Sequence, residues 1–245
     1  MRTDGRAPGD LRPVKIIPDF IRSAEGSVLI ELGRTRVIAT ATIEDGVPSF
    51  LKGSGKGWVT GEYGMLPRST EERTPRESVR GRQSGRTLEI QRMIGRTLRA
   101  TTDLKALGER TVWIDCDVIE ADGGTRTASV TGAFVALALA LERLVAAGIL
   151  RSLPLNDSVA ATSVGIVDND LLLDLAYDED SRAQVDMNVV MTAGGQFVEV
   201  QASAEARPYT SRELEQLLDL AAGGIRRLAK IQHELLPVHF RSHAR

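Results

Sequence analysis

The polar and apolar positions of this chain divide it into strands first and helices second, twice over. In SVLIELGRTRVIATATI, residues 27–43, two β-branched runs flank Gly33, which predicts a hairpin. Residues 53–64, GSGKGWVTGEYG, are glycine-rich and read as a bulged strand and turn; their spacing is not that of a nucleotide-binding P-loop. From Arg86 the pattern changes period. Ile90, Met93, Ile94, Thr97, Leu98 and Thr101 fall on one face of a helix, and Arg92, Arg96 and Arg99 on another. TVWIDCDVIEA, residues 111–121, returns to strict alternation and predicts a strand with Val112, Ile114, Cys116 and Val118 inward. TGAFVALALALERLVAAG is then apolar on most sides, as a helix buried between layers would be.

The second half repeats the order. VAATSVGIV and LLLDL flank Asp168-Asn169-Asp170, and DMNVVMT and QFVEVQASA flank Ala193-Gly194-Gly195, giving two more hairpins. Thr210 and Glu213 have capping-box spacing ahead of a last helix whose stripe is Leu214, Leu217, Leu218, Ala221, Ile225 and Leu228. Short connections predict one compact α+β unit spanning 1–245, a form that two related halves (about 10–150 and 155–236) could build, with a loosely ordered tail at 237–245.

Composition adds little to this. A 42% apolar and 26% charged chain is ordinary for a globular protein. No run of eighteen unbroken apolar residues is present, so neither a transmembrane helix nor a membrane partner is expected. The polar N-terminus lacks a signal-peptide core, and Cys116 is the only cysteine, which points to a reducing, cytoplasmic setting. Cys116 itself reads as core.

Charge is more informative in its placement than in its sum of −2. Nine arginines and no lysine lie between Leu66 and Arg99, against four glutamates, so that segment is +5 and the rest of the chain −7. Arginine is the better fork for phosphates, and a basic stripe on an acidic protein suggests a phosphate-rich polymer as partner. Residues 67–85, with Pro67, Pro75, Gly81 and Gly85 among these charges, read as a long loop. From Asp168 to Asp186 seven acids face only Arg182, a composition that suits loop solvation or a hard cation.

Three groups of residues could carry chemistry. Gly123-Gly124-Thr125-Arg126 stands where a strand turns into a helix. Thr125 or Thr127 could simply cap that helix; alternatively the free N–H groups, the helix dipole and a guanidinium make an anion site. Arg86 sits in the first turn of another helix. Asp180 and Asp186, six apart, could hold Mg²⁺ or a proton for a leaving oxygen. No nucleophilic triad accompanies His233, His239 and His243, and no zinc cage is present.

Several long segments resemble the ribonuclease PH family. They are MRTDGRAPGDLRPV, GMLPRST, GRQSGRTLEIQRMIGRTLRA, DLKALGERTVWIDCDVIEADGGTRTASVTGA and VDMNVVMTAGGQFVEVQ, and the likeness runs from about residue 1 to about residue 235. The resemblance implies the fold shared with the second domain of ribosomal protein S5, sheets and helices layered β-α-β-α. It implies a phosphate-dependent 3′→5′ exoribonuclease, or tRNA nucleotidyltransferase, which trims tRNA precursors and acts on rRNA, reversibly, releasing nucleoside diphosphates.

On the same resemblance, Arg86, Gly124, Thr125 and Arg126 would bind inorganic phosphate, the co-substrate. Asp180 and Asp186 would be catalytic and hold a divalent metal such as Mg²⁺, Asp180 handling the proton and Asp186 the metal. Arg68, Arg73 and Arg76 would grip the tRNA body, and Arg92, Arg96 and Arg99 would be structural. The assembly implied is a homo-hexamer, a trimer of dimers, acting on RNA 3′ ends and not on DNA. Two readings compete: a non-catalytic RNA-binding ring subunit, and a phosphorylase of unstructured RNA. Ala202, Ser203 and Ala206 depart from the family's usual Gly, Thr and Gly, which bears on the turn geometry at the end of that strand.

Overall fold

In the computed structural model, which describes residues 2–236 (of Arg80, the backbone alone), the chain forms two sheets and two layers of helix. The tail expected at 237–245, with His239 and His243, lies outside the described residues. The first sheet contains β1 (Val14–Pro18), β2 (Gly26–Leu32), β3 (Thr35–Asp45), β4 (Trp58–Met65) and β5 (Arg110–Glu120). Its order is β1-β2-β3-β5-β4, with every pair antiparallel except β4 with β5. Between β4 and β5 run α1 (Glu77–Arg80), α2 (Gly85–Thr101) and α3 (Leu104–Leu107). After β5 comes α4 (Thr125–Ala146), then β6 (Val159–Val167), β7 (Asp170–Leu173), α5 (Tyr177–Asp180), β8 (Val185–Thr192), β9 (Phe197–Ala204) and α6 (Ser211–Leu235). The second sheet is antiparallel, in the order β7-β6-β8-β9.

Helix α4 lies against β2 and β3 on one side and β6 on the other, α2 covers β4, and α6 covers the far face of the second sheet. The layers are therefore sheet, helix, sheet, helix, as expected. By length and a mean hydropathy of 1.6, α4 could cross a membrane; its composition is accounted for by burial between two sheets. Polar groups of α4 and α6 tie the layers together at one point. Thr131 Oγ1 accepts from Ala161 N at 3.1 Å, and the buried Gln232 amide of α6 donates to Thr131 O and Val159 O, both at 3.0 Å. Cys116 is buried, and burial pushes its thiol well above the usual range.

The turns follow the sequence. Gly33 has φ +60°, and Asp168 and Asn169, at +51° and +68°, make the two-residue turn between β6 and β7. Thr210 and Glu213 form the reciprocal cap on α6. Three details differ. The glycine-rich stretch becomes strand only from Trp58. The loop expected at 67–85 contains a single helical turn, held by Glu77 accepting from Ser84 N and Thr87 Oγ1. At Ala202 and Ser203 the β8–β9 ladder is regular, and the register shift lies at Val190/Met191 instead.

Candidate active site

Glycine at 123 is required by close approach. It has φ +74°, and an added Cβ would stand 2.6 Å from the carbonyl oxygen of Leu175 and 3.0 Å from Tyr177 N. The turn that starts α4 is thus pressed against the backbone that leads into α5. Gly124 follows at φ +65° and is the helix N-cap. No side chain caps α4. Thr127 donates its hydroxyl to Gly124 O at 2.9 Å, and Thr125 Oγ1 pairs with Tyr63 OH at 2.9 Å, so neither threonine accepts a first-turn N–H. The simple capping explanation fails, and the N-terminal donors and dipole of a 22-residue helix remain available to an anion.

Arg126, in the first turn, is held at a defined angle: its Nη1 donates to Gln201 Oε1 of β9 at 2.6 Å and lies 3.4 Å from Glu89 of α2. Arg86 is the second residue of α2, whose cap is Ser84 accepting from Thr87 N at 3.1 Å. It is exposed and has no ion-pair partner among the described residues.

Asp180 ends α5, and Asp186 is the second residue of β8, paired with Gly165 and Ser203. Burial pushes the Asp186 carboxyl up to about 6, helped by Asp180 and Glu205; Arg126 and the Asn188 amide oppose it. Burial also raises Asp180, against Arg86, Arg126 and Arg12, while Glu205 adds to the rise. The two acids therefore lie within electrostatic reach of each other and of Arg126, and Asp180 within reach of Arg86. Asp186 Oδ1 is buried without a hydrogen-bond partner. Among the described residues no group of three or more His, Cys, Asp or Glu could hold a metal ion.

The other acids of this stretch divide by burial. Glu179 makes a bidentate pair with Arg2, both contacts at 2.7 Å. Asp174 accepts from Arg12 N, Nε and Nη2 at 2.7, 3.0 and 2.7 Å. Arg12 also donates to the carbonyls of Asp122 and Gly123, so one buried guanidinium ties the glycine turn to the acidic segment. Sequence reasoning missed Arg2 and Arg12; the N-terminus showed only as polar, and seven acids facing only Arg182 were the one hint that distant cations were needed.

Arg68, Arg73 and Arg76 are exposed and carry no ion pair among the described residues. Arg76 joins Arg82, Arg86, Tyr63 and Asp117 around a cleft of about 710 Å³ beneath the loop. By contrast, Arg99 donates to Val59 O at 2.7 Å and stacks on Trp58 at 4.2 Å, and Arg96 reaches Glu199 at 3.3 Å. Arg99 is a packing residue, and Arg96 makes an exposed ion pair.

Known proteins share both the sequence and the fold. The 3′ exoribonuclease family model matches in both parts, domain 1 over residues 10–141 and domain 2 over residues 157–224. A protein of Moorella thermoacetica named ribonuclease PH is 59% identical over 236 residues, covering 96% of this chain and 94% of its own. Among solved structures, a chain of the Archaeoglobus fulgidus exosome with RNA bound to the active site superposes with a TM-score of 0.78 at 25% identity, covering 94% of this chain and 91% of that one. Rice (Oryza sativa) Rrp46 shares the fold at the same TM-score and 17% identity, over 96% of this chain and 100% of its own. On the identity and reach of these matches, the chain belongs to the ribonuclease PH family.

Proposed function

We propose that this chain is a phosphate-dependent 3′→5′ exoribonuclease that trims the 3′ ends of tRNA precursors and of other structured RNA. One observation carries the reading: the starts of α2 and α4 place Arg86 and Arg126 within electrostatic reach of Asp180, and Arg126 within reach of the partly buried Asp186 as well. A free phosphate dianion is a poor nucleophile until it is held still. Arg86, Arg126 and the N-terminal backbone of α4 hold it in line with the last phosphodiester. A phosphate oxygen forms the new bond to phosphorus, and the bond to the penultimate ribose 3′-oxygen breaks. The last nucleotide leaves as a nucleoside diphosphate, and the 3′-oxygen takes up a proton.

Asp180, the less buried of the pair, handles that proton in our reading. Asp186, with its unpartnered buried oxygen, would hold the divalent cation together with Asp180. Two carboxylates completed by substrate phosphates suit Mg²⁺, which keeps few protein ligands; bound there, it would neutralise charge on the transferring phosphoryl group. The likeness to an exosome chain supports a ring of RNase PH-like subunits, here a homo-hexamer built as a trimer of dimers.

The test uses the purified protein with Mg²⁺ and a tRNA precursor bearing a short 3′ extension. Nucleoside diphosphates released only when inorganic phosphate is present are the expected result. Monophosphates released without phosphate would make water the nucleophile and overturn the reading.

The loop arginines make a separate expectation. Changing Arg68, Arg73 and Arg76 together to alanine should weaken tRNA binding and flatten its dependence on salt by about two to three in the log–log slope, close to one for each phosphate that is no longer neutralised. Filter binding between 50 and 300 mM salt, on the order of the range in which counterion release is read, measures it. An unchanged slope would remove these arginines from the RNA path.

A further inference from the structure

We infer that Tyr63 is a positioning residue for the phosphate nucleophile, acting through the hydroxyl of Thr125. This rests on the phosphorolytic reading above and adds a residue to it. Tyr63 points inward from β4, opposite Cys116 in the parallel pair with β5, and only 5% of it is exposed. Its phenol reaches the first residue of α4, with 2.9 Å between Tyr63 OH and Thr125 Oγ1. It lies within electrostatic reach of both Arg86 and Arg126. Because α2 packs on β4, this one side chain stands between the two helix N-termini that carry the phosphate-binding residues.

The direction of the hydrogen bond decides what the contact does. Among the described residues neither hydroxyl has another partner. If Thr125 donated, the buried phenolic proton would be left without an acceptor, which is costly. If Tyr63 donates, the phenol is satisfied and the Thr125 proton is turned outward as a donor for an anion. Burial raises the Tyr63 pKa, which keeps the phenol protonated and a donor throughout the working range. Tyr63 touches no reacting atom. It fixes the rotamer of a hydroxyl that does, at the point where the helix dipole and Arg126 meet.

The experiment is a double-mutant cycle on the full-length protein with Mg²⁺, precursor tRNA and titrated inorganic phosphate. Tyr63→Phe keeps the ring and Thr125→Val keeps the shape. Each should raise KM for phosphate about five- to tenfold, the net value of one ordinary oriented hydrogen bond, with kcat at saturating phosphate and tRNA affinity little changed. The double variant should be no worse than Thr125→Val alone, since Tyr63 acts only through that hydroxyl. Additive effects, or a Tyr63→Phe enzyme with wild-type KM for phosphate, would overturn the inference. Loss of activity without a change in KM for phosphate would make Tyr63 a packing residue and overturn it too. A wild-type enzyme that needs no phosphate would instead overturn the phosphorolytic reading itself, so the two failures are distinguishable.

Discussion

Replacing Arg126 with alanine is expected to lower phosphate-dependent release of nucleoside diphosphates about a thousandfold while changing tRNA binding by no more than about twofold. The side chain is 13% exposed and is aimed by Gln201 and Glu89, so its position is set before any ligand arrives. The Glu89 contact, at 3.4 Å and without a second strong bond, leaves most of the guanidinium charge available to an anion. Removing it takes away both a fixed donor and the positive field that opposes the raised carboxyls of Asp180 and Asp186. In the proposed reading the RNA body is gripped by Arg68, Arg73 and Arg76 instead, which would account for the asymmetry. Phosphate titration of initial rates and a binding assay without phosphate measure the two effects, and equal losses in both would remove Arg126 from the cradle.

Asp186→Asn should produce opposite changes in activity and stability. Activity is expected to fall at least about a hundredfold, since the amide carries no charge with which to hold the cation. Stability in metal-free, phosphate-free buffer should rise. The folded carboxyl titrates at about 6, above its unfolded value, so the protonated form is the one that folding favours. Its stabilising effect is whole below the unfolded value and is lost as pH rises through 6. Above that the wild-type protein carries a buried charge at a cost on the order of 2–3 kcal/mol, which asparagine avoids. Thermal melts should therefore coincide near pH 4, separate as pH rises through 6, and stay apart by a constant amount to pH 8. Melts that stay superimposed at pH 8 would show that the carboxylate is not desolvated, and retained activity would exclude it from catalysis.

Much of this was legible in the residues, and what was not has a common cause. Hairpins were visible because a two-residue turn and a period of two are local: Gly33 and Asp168-Asn169 stand where expected. The buried character of α4 was visible because no face of it is polar. The one-turn helices α1, α3 and α5 were missed because four residues are too few for a period to appear. Asp180 and Asp186 could be named from motif alone. That Asp174 and Glu179, in the same acidic stretch, are instead bound to Arg12 and Arg2 depends on pairs more than 160 residues apart, which no window along the chain can show. Tyr63 was hidden for a similar reason. It shares the inward face of β4 with Val59 and Gly61 as any strand residue could, and only the parallel pairing of β4 with β5 carries it to the start of α4.

The contact at Gly123 has a consequence for how such a chain can vary. When one side chain crowds another, a smaller partner can restore the fit, and the two positions can drift together. Here the neighbour is the carbonyl of Leu175. Every amino acid brings the same carbonyl, so no second substitution at 175 can make room for a Cβ at 123. The junction between the start of α4 and the acidic segment is fixed by a pair of which only one member has an alphabet, and that member has a single permitted letter.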